Sequence, residues 1–367
     1  MKKAFTLFLC LFFAVLCALS PSLLLQGIHK NTYTLWEQKR QARYTGDLVL
    51  WHIVSFKTGG ESGVSYLKAR IRAFEQKNPY VFVELRALSV PEAREAIAGG
   101  EFPDLVSFPL GFFADASALC PLPANSSLLR PFRHAGRSSG KIYAYPYMAD
   151  FYTLSANPDA FFAEDMPLSL ETEWSAPALL EWTQALLSAG TFSASLSRPL
   201  LAFPEAALFC TRNGALSGKS RSFWQNAPAD TSAFWAGEVP LLLSPAAEVK
   251  RAESQNTVLS PQVYGFSDYT DLCQFIGVRA GMDTQKETIC QEFAAALLSR
   301  TAQRALSSLY LLPTTAQEDL YADAPLYHQE YARLQKCARI PNSFAFAAAP
   351  QLPASAEECA KMWQLGK

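Results

Sequence analysis

An α/β fold with parallel strands is what this sequence predicts, on three observations. Short apolar, β-branched runs begin near residues 48, 81 and 104, and stretches with apolar residues three and four apart separate them. Half of the 367 residues are hydrophobic and 18% are charged, a composition that closes a large packed core. At about 100 to 200 residues per domain the length corresponds to about two domains. With 32 Lys and Arg against 33 Asp and Glu, the formal charge is −1. No global field therefore draws nucleic acid or anionic lipid to the chain.

The elements follow in order. Lys2 and Lys3 precede Ala4–Leu25, where only Thr6, Ser20, Pro21 and Ser22 are not apolar. Residues 1–25 read as an export signal. Ala18-Leu19-Ser20 is the one small-residue cleavage site on offer, beside Pro21. At about 1.5 Å per residue the same segment also reaches across a bilayer, so a cleaved signal peptide and an uncleaved membrane anchor both fit. Cys10 and Cys17 follow large apolar residues, a poor match to a lipidation site. The two lysines stay inside and the rest is extracytoplasmic. Residues 26–46, carrying Lys39, Arg40 and Arg43, read as a tether.

Leu48-Val49-Leu50-Trp51, bounded by Gly46 and Gly59-Gly60, reads as a buried parallel strand. Val64, Leu67, Ile71 and Phe74 lie on one face of a helix closed by Asn78-Pro79. Residues 81–85 predict a second strand, 93–97 a short helix and 104–108 a third strand. This βαβαβ order places helices on the faces of a parallel sheet. In such sheets ligands meet the loops beyond the carboxyl ends of the strands, here those beginning at Trp51 and Ser107.

Residues 142–154 hold Tyr143, Tyr145, Tyr147, Phe151 and Tyr152 around the single charge of Asp150, and read as an extended segment passing between lobes. Over 156–260 only a helix at 176–189 has clear periodicity. Ile289, Phe293, Ala296, Leu297 and Leu306 predict a long helix over 284–309, or two helices joined by a break near Ser299.

Catalytic motifs are absent or displaced. Lys57-Thr58-Gly59 precedes Ser65-Tyr66-Leu67-Lys68 by a few residues, whereas penicillin-recognising enzymes carry their K-T-G far downstream of S-x-x-K. Asn213 stands where a phosphate loop ending in Gly218-Lys219-Ser220 needs glycine. His29, His52, His134 and His328 are scattered. Cys120, Cys210, Cys273, Cys290, Cys337 and Cys359 show no C-x-x-C pair or Cys/His cluster, which argues against structural zinc, and their pairing is open.

Seven phrases in order resemble the extracellular solute-binding proteins of ABC importers, in the branch that binds sugars and oligosaccharides. They are Leu48–Trp51, Phe74-Glu75-Gln76-Lys77-Asn78-Pro79-Tyr80-Val81, Gly99-Gly100-Glu101-Phe102-Pro103-Asp104-Leu105-Val106, Gly140-Lys141-Ile142-Tyr143-Ala144-Tyr145-Pro146, Asn157-Pro158-Asp159, Gly237-Glu238-Val239-Pro240-Leu241-Leu242-Leu243, and the stretch from Lys286 through Phe293 and Gln303 to Leu312-Pro313. The resemblance implies a two-lobed periplasmic-binding-protein-like fold of type II. Each lobe would hold a mixed, mainly parallel sheet flanked by helices, with three crossovers at the hinge. Lobe 1 would comprise 47–149 plus 262–312, and lobe 2 would comprise 150–261 plus 313–367. Such a protein captures a small solute, here a carbohydrate, between its lobes and delivers it to an ABC permease. It works as a monomer, with no cofactor, no metal, no nucleic acid and no covalent chemistry.

A sugar presents apolar C–H faces and a ring of hydroxyls, so its site stacks aromatics on the former and aims polar groups at the latter. Candidates are Trp51, His52, Ser55 and Phe56 after the first strand, Ser107 and Phe108 after the third, Tyr147, Asp150 and Tyr152 at the crossover, and Trp235. In the family pattern Phe108 falls where a stacking aromatic lies and Asp150 where an acid binds hydroxyls. Trp51 and Phe108 equally suit a core, Asp150 a structural hydrogen bond, and the tyrosines a packed hinge. Pro109-Leu110-Gly111-Phe112 is apolar where sugar binders often carry polar residues. Two other functions stay open. One is an exported carbohydrate-active enzyme, which needs paired carboxylates about 5 to 9.5 Å apart. The other is a sensory binding protein that reports to a membrane partner.

Overall fold

The computed structural model describes residues 44–349, apart from 55–57, 158–191, 195–230, 240, 256–258, 267–268, 319 and 338, together with 358 and 361–364. The expected signal or anchor, most of the tether and the helix at 176–189 lie outside the described residues.

Strand β1 (Gly46–Ile53) buries Leu48 and Leu50, then every residue from Trp51 to Ile53. Helix α1 (Gly63–Lys77) starts where the Ser62 hydroxyl accepts from the Ser65 N–H, and packs Tyr66, Leu67, Ile71 and Phe74 inward. β2 (Val81–Leu88) follows, and then α2 (Val90–Ala98), opened by a capping box between Ser89 and Glu92. β3 (Leu105–Pro109) is buried along four of its five residues. These five elements form as the periodicity predicts.

Two short strands, β4 (Arg137–Ser138) and β5 (Lys141–Ile142), make a small hairpin ahead of β6 (Ala144–Ala149). β7 (Tyr152–Ala156), β8 (Phe192–Ala194), α3 (Ser232–Trp235), β9 (Leu241–Pro245), α4 (Ala246–Ser254) and β10 (Gln262–Phe266) come next. The chain then forms β11 (Cys273–Val278), α5 (Thr284–Ala296) and α6 (Arg300–Arg304). The break expected near Ser299 is a helix cap: its hydroxyl accepts from Ala302 N–H and restarts the helix. A 3₁₀ turn over Ala305–Leu309, α7 (Pro325–Cys337) and α8 (Ser343–Ala348) follow.

Two sheets organise them. The first runs β2-β1-β3-β11-β6 and the second β10-β7-β9-β8. In the first, β2, β1 and β3 are parallel, while β11 is antiparallel to both β3 and β6. In the second, β7 is antiparallel to β10 and β9, and only β8 and β9 are parallel. Both sheets are mixed as expected, but the parallel share is smaller than expected. Parallel pairing needs a returning crossover, and β11 and β10 instead reach their neighbours from the opposite direction.

The chain passes from the first sheet to the second at Asp150–Phe151 and returns just before β11. These passages lie side by side: Asp150 N–H donates to Leu272 O at 2.8 Å, and Thr270 Oγ1 donates to Asp150 O at 2.5 Å. Downstream, Leu312 bridges Ala149, and α7 then leans on β10, where Arg333 donates to Gly265 O at 3.3 Å. The start of α8 returns to residues 111–137: Ser343 Oγ accepts from Gly111 N–H, and the Asn342 amide donates to His134 O and Arg137 O.

Candidate functional site

β1, β3 and β6 point the same way and β11 opposes them, so three carboxyl ends and one amino end share a rim of the first sheet. On that rim His52, Ser107 and Tyr147, all buried, are joined. His52 Nδ1 lies 2.9 Å from Ser107 Oγ, which lies 2.8 Å from the Tyr147 hydroxyl. Gln274 Nε2 donates to Ser107 Oγ and to Ile53 O, each at 2.9 Å. Ser107 thus spends one lone pair on Gln274, leaving one proton and one lone pair for His52 and Tyr147. The chain of bonds runs from Tyr147 to His52 or the reverse. Burial lowers the His52 pKa to about 4, so the imidazole is neutral around pH 7.

Tyr147 is held from two further directions. Its ring stacks on Tyr66 with centroids 6.5 Å apart, and its carbonyl accepts from Gln303 Nε2 at 2.7 Å. Gln303 also donates to Leu297 O at 2.8 Å, and its Oε1 accepts from Thr314 N–H at 2.8 Å and from Thr315 N–H at 3.3 Å.

A second group forms at the passage between sheets. Asp150 is fully buried, and its carboxylate accepts from Phe151 N–H at 2.8 Å and Ala247 N–H at 3.2 Å, the latter in the first turn of α4. Desolvation raises its pKa to about 8; the two N–H donors pull it down and Glu248 pushes it up. The Tyr152 hydroxyl donates to Asp271 Oδ1 at 2.7 Å. Around Asp150 stands an aromatic group: Tyr327 meets Phe151, Tyr310 and Tyr321 at centroid distances of 5.1, 5.6 and 5.3 Å. The Tyr327 hydroxyl is buried without a hydrogen-bond partner among the described residues.

The remaining candidates sit apart. Trp51 is buried on the face of β1 opposite His52, with no hydrogen-bond partner for its indole N–H among the described residues. Phe108 lies in an aromatic cluster, stacked on Phe275 at 5.7 Å, edge-on to Phe113 at 4.8 Å and tilted to Phe112 at 6.4 Å. Trp235 is half-buried in α3, edge-on to Phe234. Ser55 and Phe56 lie outside the described residues. Gln274, Thr270 and Asp271 went unnamed in the sequence reading, and Gln303 entered it only as part of a phrase of the resemblance, not as a site residue. The polar Thr270-Asp271 pair just before an apolar strand was the one signal that pointed to them.

Among the described residues no group of His, Cys, Asp and Glu is placed to hold a metal ion. Cys120, Cys273 and Cys290 are buried free thiols, and burial raises the pKa of each.

No protein-family model and no curated protein matches the sequence. Solved structures do match in fold. The cyclic α-maltosyl-1,6-maltose binding protein of Arthrobacter globiformis is 13% identical, with a TM-score of 0.61 over 88% of this chain and 98% of that one. An ABC substrate-binding protein of Listeria monocytogenes, in complex with cycloalternan, is 14% identical, with a TM-score of 0.59 over 81% and 88%. The maltose/maltodextrin-binding domain MalE of Bdellovibrio bacteriovorus, bound to maltotriose, is 15% identical, with a TM-score of 0.54 over 87% and 99%. The two sheets and the paired passages between them are therefore the two-domain fold that these oligosaccharide-binding proteins also adopt.

Proposed function

We propose that the chain is the extracytoplasmic solute-binding component of an ABC importer, and that it takes a carbohydrate between two lobes. The observation that carries this reading is the pair of adjacent passages at Asp150–Phe151 and Thr270–Leu272, which join two sheets in a fold otherwise seen in oligosaccharide receptors. Two chain passages side by side make a hinge, and hinge closure around a ligand is a two-state change that a solute biases by touching both lobes.

In this reading lobe 1 is 47–149 plus 270–312 and lobe 2 is 150–266 plus the chain after 312; the boundary expected at 262 moves because β10 pairs with β7 in the second sheet, and Asn342–Ser343 bond back to lobe 1. The cleft is walled by the loops after β1, β3 and β6 and by the first turn of α4. His52, Ser107, Tyr147, Asp150 and Tyr152 form or support that wall and Trp51 and Phe108 pack in the core behind it, while Ser55, Phe56 and Trp235 are kept as proposed ligand contacts. The protein binds without catalysing, works as a monomer and hands its cargo to a membrane permease. Among the described residues no helix is long and apolar enough to cross a membrane. Attachment or export is assigned to residues 1–25, and the tether to 26–46.

The test is a thermal-shift screen of the full chain in detergent against maltotriose, mannotriose, chitin oligosaccharides, polyols, amino acids and phosphate. A ligand at a hundred times its dissociation constant adds about 2.7 kcal/mol to the folded state. A shift with one carbohydrate class, and recovery of that carbohydrate intact, supports the receptor. Recovery of a cleaved product replaces it with an enzyme, and a response to amino acids or phosphate alone removes the carbohydrate.

A further inference from the structure

The loop leaving β1 and the helix leaving β9 belong to different sheets, and they meet at one glycine. A Cβ placed on Gly59 would lie 2.9 Å from the Lys250 Cβ, 3.0 Å from the Ala247 carbonyl oxygen and 3.0 Å from the Tyr310 Cβ. None of these atoms is the free end of a flexible side chain. A larger residue therefore fits only if backbone moves.

Each side of this contact is tied to its own sheet. Gly59 N–H donates to Leu309 O at 2.9 Å, and Gly60 lies against the Ser308 carbonyl, on the turn that leads to the Leu312–Ala149 bridge of the first sheet. Across the contact, Ala246 N–H donates to Phe151 O at 2.8 Å and Ala247 N–H to the Asp150 carboxylate, so α4 is fixed to the passage into the second sheet. Ala246 and Ala247 are buried, and the Lys250 ammonium stands 5.9 Å from the Tyr310 ring centroid.

We propose that Gly59 is a positioning residue: it sets the closest approach of α4 to the β1 loop, and through it how far the two sheets close on a ligand. The ligand half of this inference rests on the receptor reading; the spacing half does not. A bulkier residue acts as a wedge, and its effect grows with size.

Spin labels introduced as non-natural amino acids at Gln76 on α1 and Ser254 on α4, both exposed, report the spacing by electron–electron resonance. In the full chain, Gly59→Ala and then Gly59→Leu are expected to widen the label separation stepwise. Both are expected to weaken binding of whichever of maltotriose, mannotriose or chitin oligosaccharide the wild type takes, by tenfold or more for leucine. Glu61→Ala, exposed in the same loop, should leave both readouts unchanged. Tyr310 has a left-handed φ of 54° that suits glycine, so Tyr310→Gly removes one of the three clashing atoms and should draw the Gly59→Ala separation back. An unchanged separation in Gly59→Ala, which is the mildest replacement, overturns the proposal. Widening in a wild type that takes none of these oligosaccharides upholds the spacer and removes the oligosaccharide ligand instead.

Discussion

The Ser107 hydroxyl and the Tyr147 phenol meet at 2.8 Å although β11 lies between their strands. Gln274 of that middle strand donates to the same hydroxyl, and His52 of β1 reaches it from the other side. One serine oxygen thus links four strands at the rim where their loops begin. In a low-dielectric setting such a network specifies one arrangement when it is satisfied and costs stability when a member is removed.

Ser107→Ala leaves His52 Nδ1 and the Tyr147 hydroxyl without the partner they share. The expected loss is about 1–3 kcal/mol in denaturant unfolding at pH 7. A change below about 0.5 kcal/mol, within the range of ordinary surface substitutions, contradicts the network.

Asp150 and His52 give opposite pH signatures. The Asp150 pKa is raised to about 8 from the usual carboxylate value, so between the two values the folded state holds a proton that the unfolded chain has released. Its contribution is therefore present in acid and is lost as pH rises through about 8. Melting temperatures from pH 5 to 9 should fall more steeply in the wild type than in Asp150→Asn. Equal slopes would sink the assignment.

His52, lowered to about 4, behaves the other way. Below its ordinary pKa the unfolded chain takes up a proton that the folded chain refuses, so stability falls as pH drops from about 6.5 toward about 4. His52→Gln should remove part of that acid-side loss, as read in the same melting series.

Phe108 is fully buried among Phe112, Phe113 and Phe275. Phe108→Ala is expected to cost about 3–5 kcal/mol, the range for deleting a core aromatic. Chemical denaturation measures it, and a loss under about 1 kcal/mol would mean that the ring does not hold the core together.

Gln303 satisfies Tyr147 O, Leu297 O, Thr314 N–H and Thr315 N–H from one buried amide. Gln303→Leu preserves volume and removes every one of these bonds. The expected cost is about 3 kcal/mol, with faster amide exchange at Thr314 and Thr315 as the local sign.

The elements from β1 to β3 were legible because their signals are local: apolar runs of strand length, and α1 residues three and four apart. The Ser299 break was legible for the same reason. The place of β11 between β3 and β6 was not, since pairing across more than 120 residues leaves no periodicity in the strand itself. The mostly antiparallel second sheet escaped for that reason too.

At the site, residue type singled out His52, Ser107, Tyr147 and Asp150, which are hydrogen-bonded at the rim. It could not tell a ring that packs on neighbours, as Phe108 does, from one that faces a cleft. Gln274 and Gln303 escaped because a glutamine acquires its role from register and from the backbone it happens to meet.

The position of β11 has a consequence for synthesis. Its residues, 273–278, leave the ribosome after all of β7 to β10, yet they fill the slot between β3 and β6 in the first sheet. Until then β3 has an open edge on that side and β6 has no sheet to join. At about 5–20 residues per second the wait lasts several seconds or more. Through that interval the first half of the chain cannot complete its own sheet, and β3 and β6 wait for a strand made more than 120 residues later.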